Sequence, residues 1–168
     1  NNDAEELKRR SCKDVEVIKA EEFITQEGLR NSAAKLFPAG TTLIALVGAT
    51  IGKTGLLKFD STTNQNIAGL YPKSLEVLNP TYLFYAAQTL YPEFMKIGEG
   101  KFRMANLSFV REQKIPLPPL ATQQAIVAEI EAEQAMVTAN RELIKRFEKK
   151  IQATLAREEI RNELAAMG

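Results

Sequence analysis

The sequence IPLPPLATQQAI, residues 115–126, divides the chain into two parts of different composition. Proline cannot continue a helix or pair in the interior of a sheet, so the three prolines in this stretch mark the end of one folded unit. From residue 122 to residue 166 there is neither glycine nor proline, and strong helix formers dominate. The stretch therefore predicts a compact domain before the prolines and one long helix after them.

The predicted helix carries a seam of apolar residues with a mixed four- and seven-residue spacing, which places them on one side of a helix. At about 1.5 Å per residue, some forty residues extend roughly 60 Å, which is more than the diameter of a small domain. We therefore expect this helix to project and to pair with another helix. The expected pairing residues are Ile126, Ile130, Val137, Asn140, Ile144, Phe147 and Ile151, with Asn140 as the polar residue that fixes register.

Before the prolines, short apolar runs alternate with polar or glycine-containing loops. Asn79 followed by Pro80 predicts the start of a helix, because Asn caps helices and proline is tolerated at the first helical position. A helical turn is expected near residues 108–113, and a weak helix or a loose arm in residues 1–14. Strands are predicted at residues 15–19, 41–47, 56–59, 67–71 and 114–117.

The run at residues 41–47 is continuously apolar apart from its first two threonines, so this strand is expected to be buried on both faces. Few and short strands beside short helices indicate an α+β fold. The predicted architecture is a compact domain with a small sheet and short helices, followed by one long projecting coiled-coil helix. The expected boundaries are residues 1–119 for the domain and 120–168 for the helix.

The composition excludes several kinds of active site. The 168 residues include one cysteine, Cys12, and no histidine, which removes most zinc sites and every pair of a nucleophile with a histidine base. A single cysteine forms no internal disulfide, which suits the cytoplasm. No Asp-rich loop offers an oxygen-only metal site, and no apolar run is long enough to cross a bilayer. We therefore expect no cofactor, no metal, no membrane association and a cytoplasmic protein.

Charge alone does not decide between a nucleic-acid-binding surface and an ordinary one. The net charge is +1, which is not typical of a strongly nucleic-acid-binding chain. Residues 41–117 contain eight Lys and Arg against five Asp and Glu. This mild excess is compatible with a DNA-binding face, but by itself it favours an ordinary solvated surface.

The motif GATIGKT at residues 48–54 approaches a phosphate-binding P-loop but does not match it. A P-loop has four residues between its first glycine and its Gly-Lys pair, and here there are three. The shorter loop would not present the same ring of backbone N–H groups. The pattern favours a tight loop between strands, from which Lys53 and Thr54 contact a DNA phosphate.

Two polar motifs have both a structural and a functional interpretation. NPTY at residues 79–82 approaches the NPPY signature of DNA amino-methyltransferases, but its third residue differs and no glycine-rich cofactor motif precedes it, so a helix cap is favoured. The amides of Asn64, Gln65 and Asn66 suit adenine edges in the major groove. The same residues are common in plain turns.

The junction at residues 115–126 resembles the one that ends each target-recognition domain of type I restriction–modification specificity subunits. The family pattern is roughly I-P-L-P-P-L-x-x-Q-x-x-I before a long helix, and Thr122 stands where the family usually has Glu. Four other motifs are similar and lie in the expected order. They are ITQEGL at 24–29, GTTL at 40–43, GATIGKT at 48–54 and NQNI at 64–67.

This resemblance implies a sequence-specific DNA-recognition module without catalytic activity, which reads one half of a split double-stranded target. It also implies that methyltransferase and restriction subunits bind the module and do the chemistry. The long helix would pair antiparallel with a second recognition half or a second copy. Because the family places recognition in loops, the implied DNA-facing residues are Lys53, Thr54, Asn64, Gln65, Asn66, Lys101 and Arg103.

Several alternatives stay open at this point. The chain fits a half-subunit that dimerises, a piece of a two-domain subunit, or the C-terminal recognition domain of a fused DNA adenine methyltransferase. No opening strand is evident before Val15, so we expect an N-terminally truncated domain. Rival functions are a nucleotide-binding or methyltransferase enzyme and a coiled-coil interaction module without DNA binding.

Overall fold

The computed structural model describes residues 15–20, 23–97 and 103–166. The arm predicted for residues 1–14 and the predicted contact Lys101 lie outside the described residues. The chain divides into two compact units, residues 1–127 and 128–168. Within the part of the chain that the structure describes, no helix is both long enough and apolar enough to cross a membrane.

Among the described residues, four short strands form one mixed sheet: β1 Val15–Val17, β2 Thr42–Ala45, β3 Thr54–Leu57 and β4 Ile67–Leu70. They lie in the order β1-β3-β2-β4. Strand β1 is parallel to β3, whereas β2 is antiparallel to both β3 and β4. Strands β2 and β3 are therefore the two internal strands, each paired on both sides.

The helices of the first unit are short, and the last helix is long. Asn79 caps the second helix as predicted: its Oδ1 accepts hydrogen bonds from the backbone N–H groups of Thr81 and Tyr82, at 2.8 and 3.0 Å. The helices are α1 Gln26–Arg30, α2 Pro80–Gln88, α3 Tyr91–Met95, α4 Leu107–Glu112 and α5 Leu120–Ala166, with a 3-10 turn at Gly48–Thr50.

The main core lies between the sheet and the short helices. Phe94 of α3 and Ile44 of β2 are fully buried, and the ring of Phe109 packs edge-on against that of Phe94 with centroids 5.1 Å apart. The buried members of this core are Ile44, Leu46, Ile51, Ala68, Ala87, Phe94, Ala105 and Val110.

The predicted fold class is confirmed, because a small sheet with short helices is followed by one long helix. Two local predictions are wrong. Strand β2 buries Thr42 and Ile44, but Leu43 and Ala45 are only half-buried, so its second face is not fully covered. Residues 113–119 form neither strand nor helix, since their prolines lack the N–H groups that a strand would need.

The loop after β2 depends on glycine at two positions, which offers a matched test. Gly48 and Gly52 have φ angles of +70° and +75°, where L side chains are strained. An added Cβ at Gly48 meets nothing within 4 Å, whereas one at Gly52 lies 2.7 Å from the Cβ of Phe94. A side chain at either glycine therefore strains the backbone, but only at Gly52 does it also clash with a neighbouring residue.

We expect Gly48→Ala to lower the free energy of unfolding by roughly 1–2 kcal/mol, the cost of a left-handed conformation. Gly52→Ala should lose a further 1–3 kcal/mol, approximately, because the methyl group overpacks the core. Urea denaturation of the two variants and the wild type measures both losses. Equal losses at the two positions would contradict the packing of this loop on Phe94.

Candidate nucleic-acid interface

Backbone hydrogen bonds gather three of the predicted DNA-contacting loops at the carboxyl end of β2. Ala45 N–H donates to the carbonyl of Lys53 at 2.9 Å, and Leu46 N–H donates to that of Asn66 at 2.8 Å. Gly48 N–H donates to the carbonyl of Arg103 at 2.9 Å. Segments far apart in the sequence are therefore held at one strand end by main-chain bonds that do not involve their side chains.

The apolar residue of the loop at residues 48–54 anchors this loop in the core. Ile51 is 2% exposed and belongs to the main core, and Gly52 N–H donates to the carbonyl of Ala45 at 2.8 Å. The next residue, Lys53, is exposed and forms no ion pair among the described residues. Thr54 is half-buried and paired with Ile44 in the sheet. Lys53 is thus the more accessible of the two predicted contacts.

The three amides between β3 and β4 differ in their surroundings. The Oδ1 of Asn64 accepts the backbone N–H of Asn66 at 3.0 Å, which is the turn interpretation of this motif. The side chain of Asn66 is half-buried. Gln65 is exposed, and its side chain makes no hydrogen bond with the residues that the structure describes. Of the three, Gln65 presents its amide most freely to a ligand.

Arg103 is half-buried and has no acidic partner among the described residues. Its Nη1 lies 3.2 Å from Sδ of Met95, and its buried Nε has no hydrogen-bond partner. A thioether is only a weak acceptor. A partly desolvated guanidinium without a counter-charge favours an anionic ligand, such as a phosphate.

Among residues 15–20, 23–97 and 103–166 there is no group of three or more metal-binding side chains. The candidate interface instead combines exposed or half-buried cations with a free amide. Such a set can contact phosphate oxygens and base edges by hydrogen bonds and charge.

The seam of α5 is covered unevenly. Ile126 is half-buried and packs against a second apolar cluster that contains Tyr82, Ala86 and Val127, so the chain itself covers part of this residue. Ile130 is also half-buried. Farther along, the four seam residues are between 48% and 58% exposed: Val137, Ile144, Phe147 and Ile151. Asn140 is exposed as well.

Sequence reasoning missed three further apolar residues of this helix, Met136, Leu143 and Leu155, which are also exposed. Met136 and Leu143 each precede a seam residue, so they widen the stripe on one side. Their spacing in the sequence indicated this, because Met136 and Leu143 are seven residues apart and Leu155 follows Ile151 by four. Whether the stripe is covered by another helix stays a prediction.

Sequence reasoning also gave no separate role to Gln123, whose side chain is completely buried. Its Nε2 donates to the carbonyls of Val77 and Pro118, at 2.9 and 2.7 Å. Its Oε1 accepts the backbone N–H of Asn79 at 2.9 Å. The motif at residues 115–126 includes this glutamine, but a sequence pattern does not reveal the long-range bonds.

A protein-family model described as the type I restriction modification DNA specificity domain matches residues 4–149. Two solved structures are similar. The first is a chain from a study of complex assembly and conformational transition in the type I R-M system, with 29% identity, 73% of this chain covered and a TM-score of 0.56. The second is the HsdS subunit from Thermoanaerobacter tengcongensis, with 28% identity, 62% of this chain covered and a TM-score of 0.51. The matched region spans 29% and 24% of those two chains.

Proposed function

The chain belongs to the family of type I restriction modification DNA specificity domains, and we propose from this membership that it reads one half of a split double-stranded DNA target. The observation that carries the proposal is the convergence of the loops of Lys53, Asn66 and Arg103 on the end of β2. Anchoring through the main chain leaves polar atoms of these loops' side chains available for contacts, which suits recognition by loops on a rigid scaffold.

Within this interface we assign two kinds of contact. Lys53 and Arg103 contact phosphates, because both are cations without an acidic partner in the described part of the chain. Gln65 reads a base edge, because its amide is exposed and unbonded there, and Gln pairs bidentately with adenine. Thr54, Asn64, Asn66 and Lys101 complete the proposed set of DNA-facing residues.

The second unit supplies the proposed contact with another helix. Acidic residues lie early in α5 and basic residues later, so an equivalent helix in antiparallel orientation would bring opposite charges together. We assign the partner helix to a second recognition half, in the same polypeptide or in a second copy. The acidic residues are Glu129, Glu131 and Glu133, and the basic ones are Arg141, Lys145, Arg146, Lys149 and Lys150.

The chemistry belongs, in this proposal, to methyltransferase and restriction subunits that dock on the assembled module. The chain itself carries no catalytic step, in keeping with its lack of histidine and of a cofactor-binding motif. A DNA target and these partners imply a cytoplasmic protein.

The decisive experiment is selection from a random duplex pool with the assembled complex. We expect the enriched sequences to contain two short specified segments with a constant gap, because each recognition half reads one segment. Exchanging residues 15–119 for those of another family member should change one segment and leave the other unchanged. Enrichment without any shared segment, or a change in both segments, would refute the proposed function.

Lys53→Ala and Arg103→Ala should weaken binding similarly for all sequences. Each lost phosphate contact should make the slope of the logarithm of the association constant against the logarithm of the salt concentration less negative by about 0.9. Gln65→Ala should change base preference at one position instead and leave the salt slope unchanged. Fluorescence anisotropy over a salt series, on the selected target and on single-base variants, measures both. A Gln65→Ala protein with unchanged preference at every base would remove this residue from the set.

Charged residues on the exposed seam should prevent pairing of α5. Each fully buried Ile contributes about 1.5–3 kcal/mol relative to exposure, so Ile144→Asp with Ile151→Asp should abolish the association. Ala139→Asp with Ala153→Asp is the matched control, because these exposed positions lie away from the seam. Sedimentation velocity distinguishes the variants, and circular dichroism checks that the first unit stays folded. If both double variants associate like the wild type, the seam is not the pairing surface.

A further inference from the structure

The side-chain amide of Gln123 bonds to its neighbours as a backbone amide would. It donates to the carbonyl of Val77 and accepts from the N–H of Asn79, two residues further on. A residue of a parallel neighbouring strand, lying opposite Leu78, would make the same two bonds. The glutamine therefore gives residues 77–79 a pairing partner.

The neighbouring main chain is poorly equipped to supply that partner. Pro116, Pro118 and Pro119 have no N–H groups, so the segment before α5 has few donors. The Nε2 of Gln123 also donates to the carbonyl of Pro118 at 2.7 Å. One buried side chain thus ties together the turn before α2, the proline segment and the first turn of α5.

A second polar bond and an apolar cluster support the same attachment. Tyr82 Oη donates to the carbonyl of Pro116 at 3.0 Å. Around the Tyr82 ring lies the second cluster, whose buried members include Ala86 of α2 and Val127 of α5. These residues all belong to the first unit, so the first two turns of α5 are part of the recognition domain.

We infer that Gln123 is a positioning residue for the split target. It holds the start of α5 in one attachment to the recognition domain, and α5 is continuous from Leu120 to Ala166. In this way it determines which gap between the two DNA half-sites the assembled protein accepts. The inference rests on the proposed function, and it assigns to the junction a role that the loops at the end of β2 do not have.

One base pair changes the separation of two half-sites by only about 3.4 Å. A loose attachment of the helix would tolerate such a change, whereas a fixed one would not. The gap preference therefore reports on the junction, and the base preference within each half-site reports on the loops.

The test uses Gln123→Met in the full chain, assembled with its partner subunits. Methionine nearly matches glutamine in volume but makes none of the three hydrogen bonds. Gln124→Met is the matched control, because Gln124 is adjacent and exposed. Binding is measured on the selected target and on duplexes whose gap is one or two base pairs shorter or longer.

We expect Gln123→Met to keep the base preference of its half-site and to accept several gaps. Its preference for the native gap over one that is one base pair longer should fall about tenfold, equivalent to roughly 1.4 kcal/mol. Gln124→Met should behave as the wild type. A folded Gln123→Met protein with the wild-type gap preference would overturn the inference, even if its melting temperature fell.

Tyr82→Phe provides a milder second variant if Gln123→Met does not fold. It removes the single bond to Pro116 and keeps the ring in its cluster, so it should broaden the gap preference by a smaller factor. An unchanged preference in this folded variant would also overturn the inference. Failure of the proposed function looks different, since the wild type itself would then select no split target.

Discussion

The attachment of the first turns of α5 within the first unit depends on the scarcity of backbone donors in the proline segment. Pro116, Pro118 and Pro119 lie just before α5 in a segment that forms no strand, and this segment has few N–H groups with which to bond to the rest of the first unit. Its attachment is made instead by the side chains of Gln123 and Tyr82. The Gln123 amide is completely buried and bonds to three backbone groups at once, so it permits little movement, since a broken bond would leave its own polar atoms buried without a partner.

At the end of β2 the roles of the main chain and the side chains are reversed. There the main chain makes the long-range bonds, at Ala45, Leu46 and Gly48, and the side chains of Lys53 and Gln65 are left exposed. Substitutions at those two positions cost the fold little, because surface changes away from such bonds usually have small effects on stability. A scaffold of this kind can change what it recognises without changing how it folds. Asn64 is an exception, since its side chain also forms the turn.

The sequence predicted the features that depend on local patterns. The β2 run, the cap at Asn79 and the long helix after the prolines follow from propensity, capping chemistry and composition. Contacts between residues far apart in the sequence could not be predicted from such patterns. Nothing local indicates that Arg103 lies beside Met95, or that Gln123 is completely buried 44 residues from the Asn79 N–H that it accepts. The false strand at residues 114–117 came from applying apolar alternation to a segment whose prolines cannot pair.

The apolar seam of α5 has a composition that bears on the kind of helix with which it is proposed to pair. Ile130, Val137, Ile144 and Ile151 recur every seven residues and form one apolar line, with β-branched side chains throughout. Three residues after each member of this line lies the second core position of the seven-residue repeat. It is occupied by Glu133, Asn140, Phe147 and Thr154, and only Phe147 of these is apolar. Polar residues in a helix–helix interface reduce its stability and specify register, because they require matched partners. In the pairing proposed for α5, such a helix would gain little from an arbitrary apolar surface and would favour a helix with a complementary pattern at one alignment. That selectivity is the property a spacer needs if the distance along a DNA target is to be read accurately.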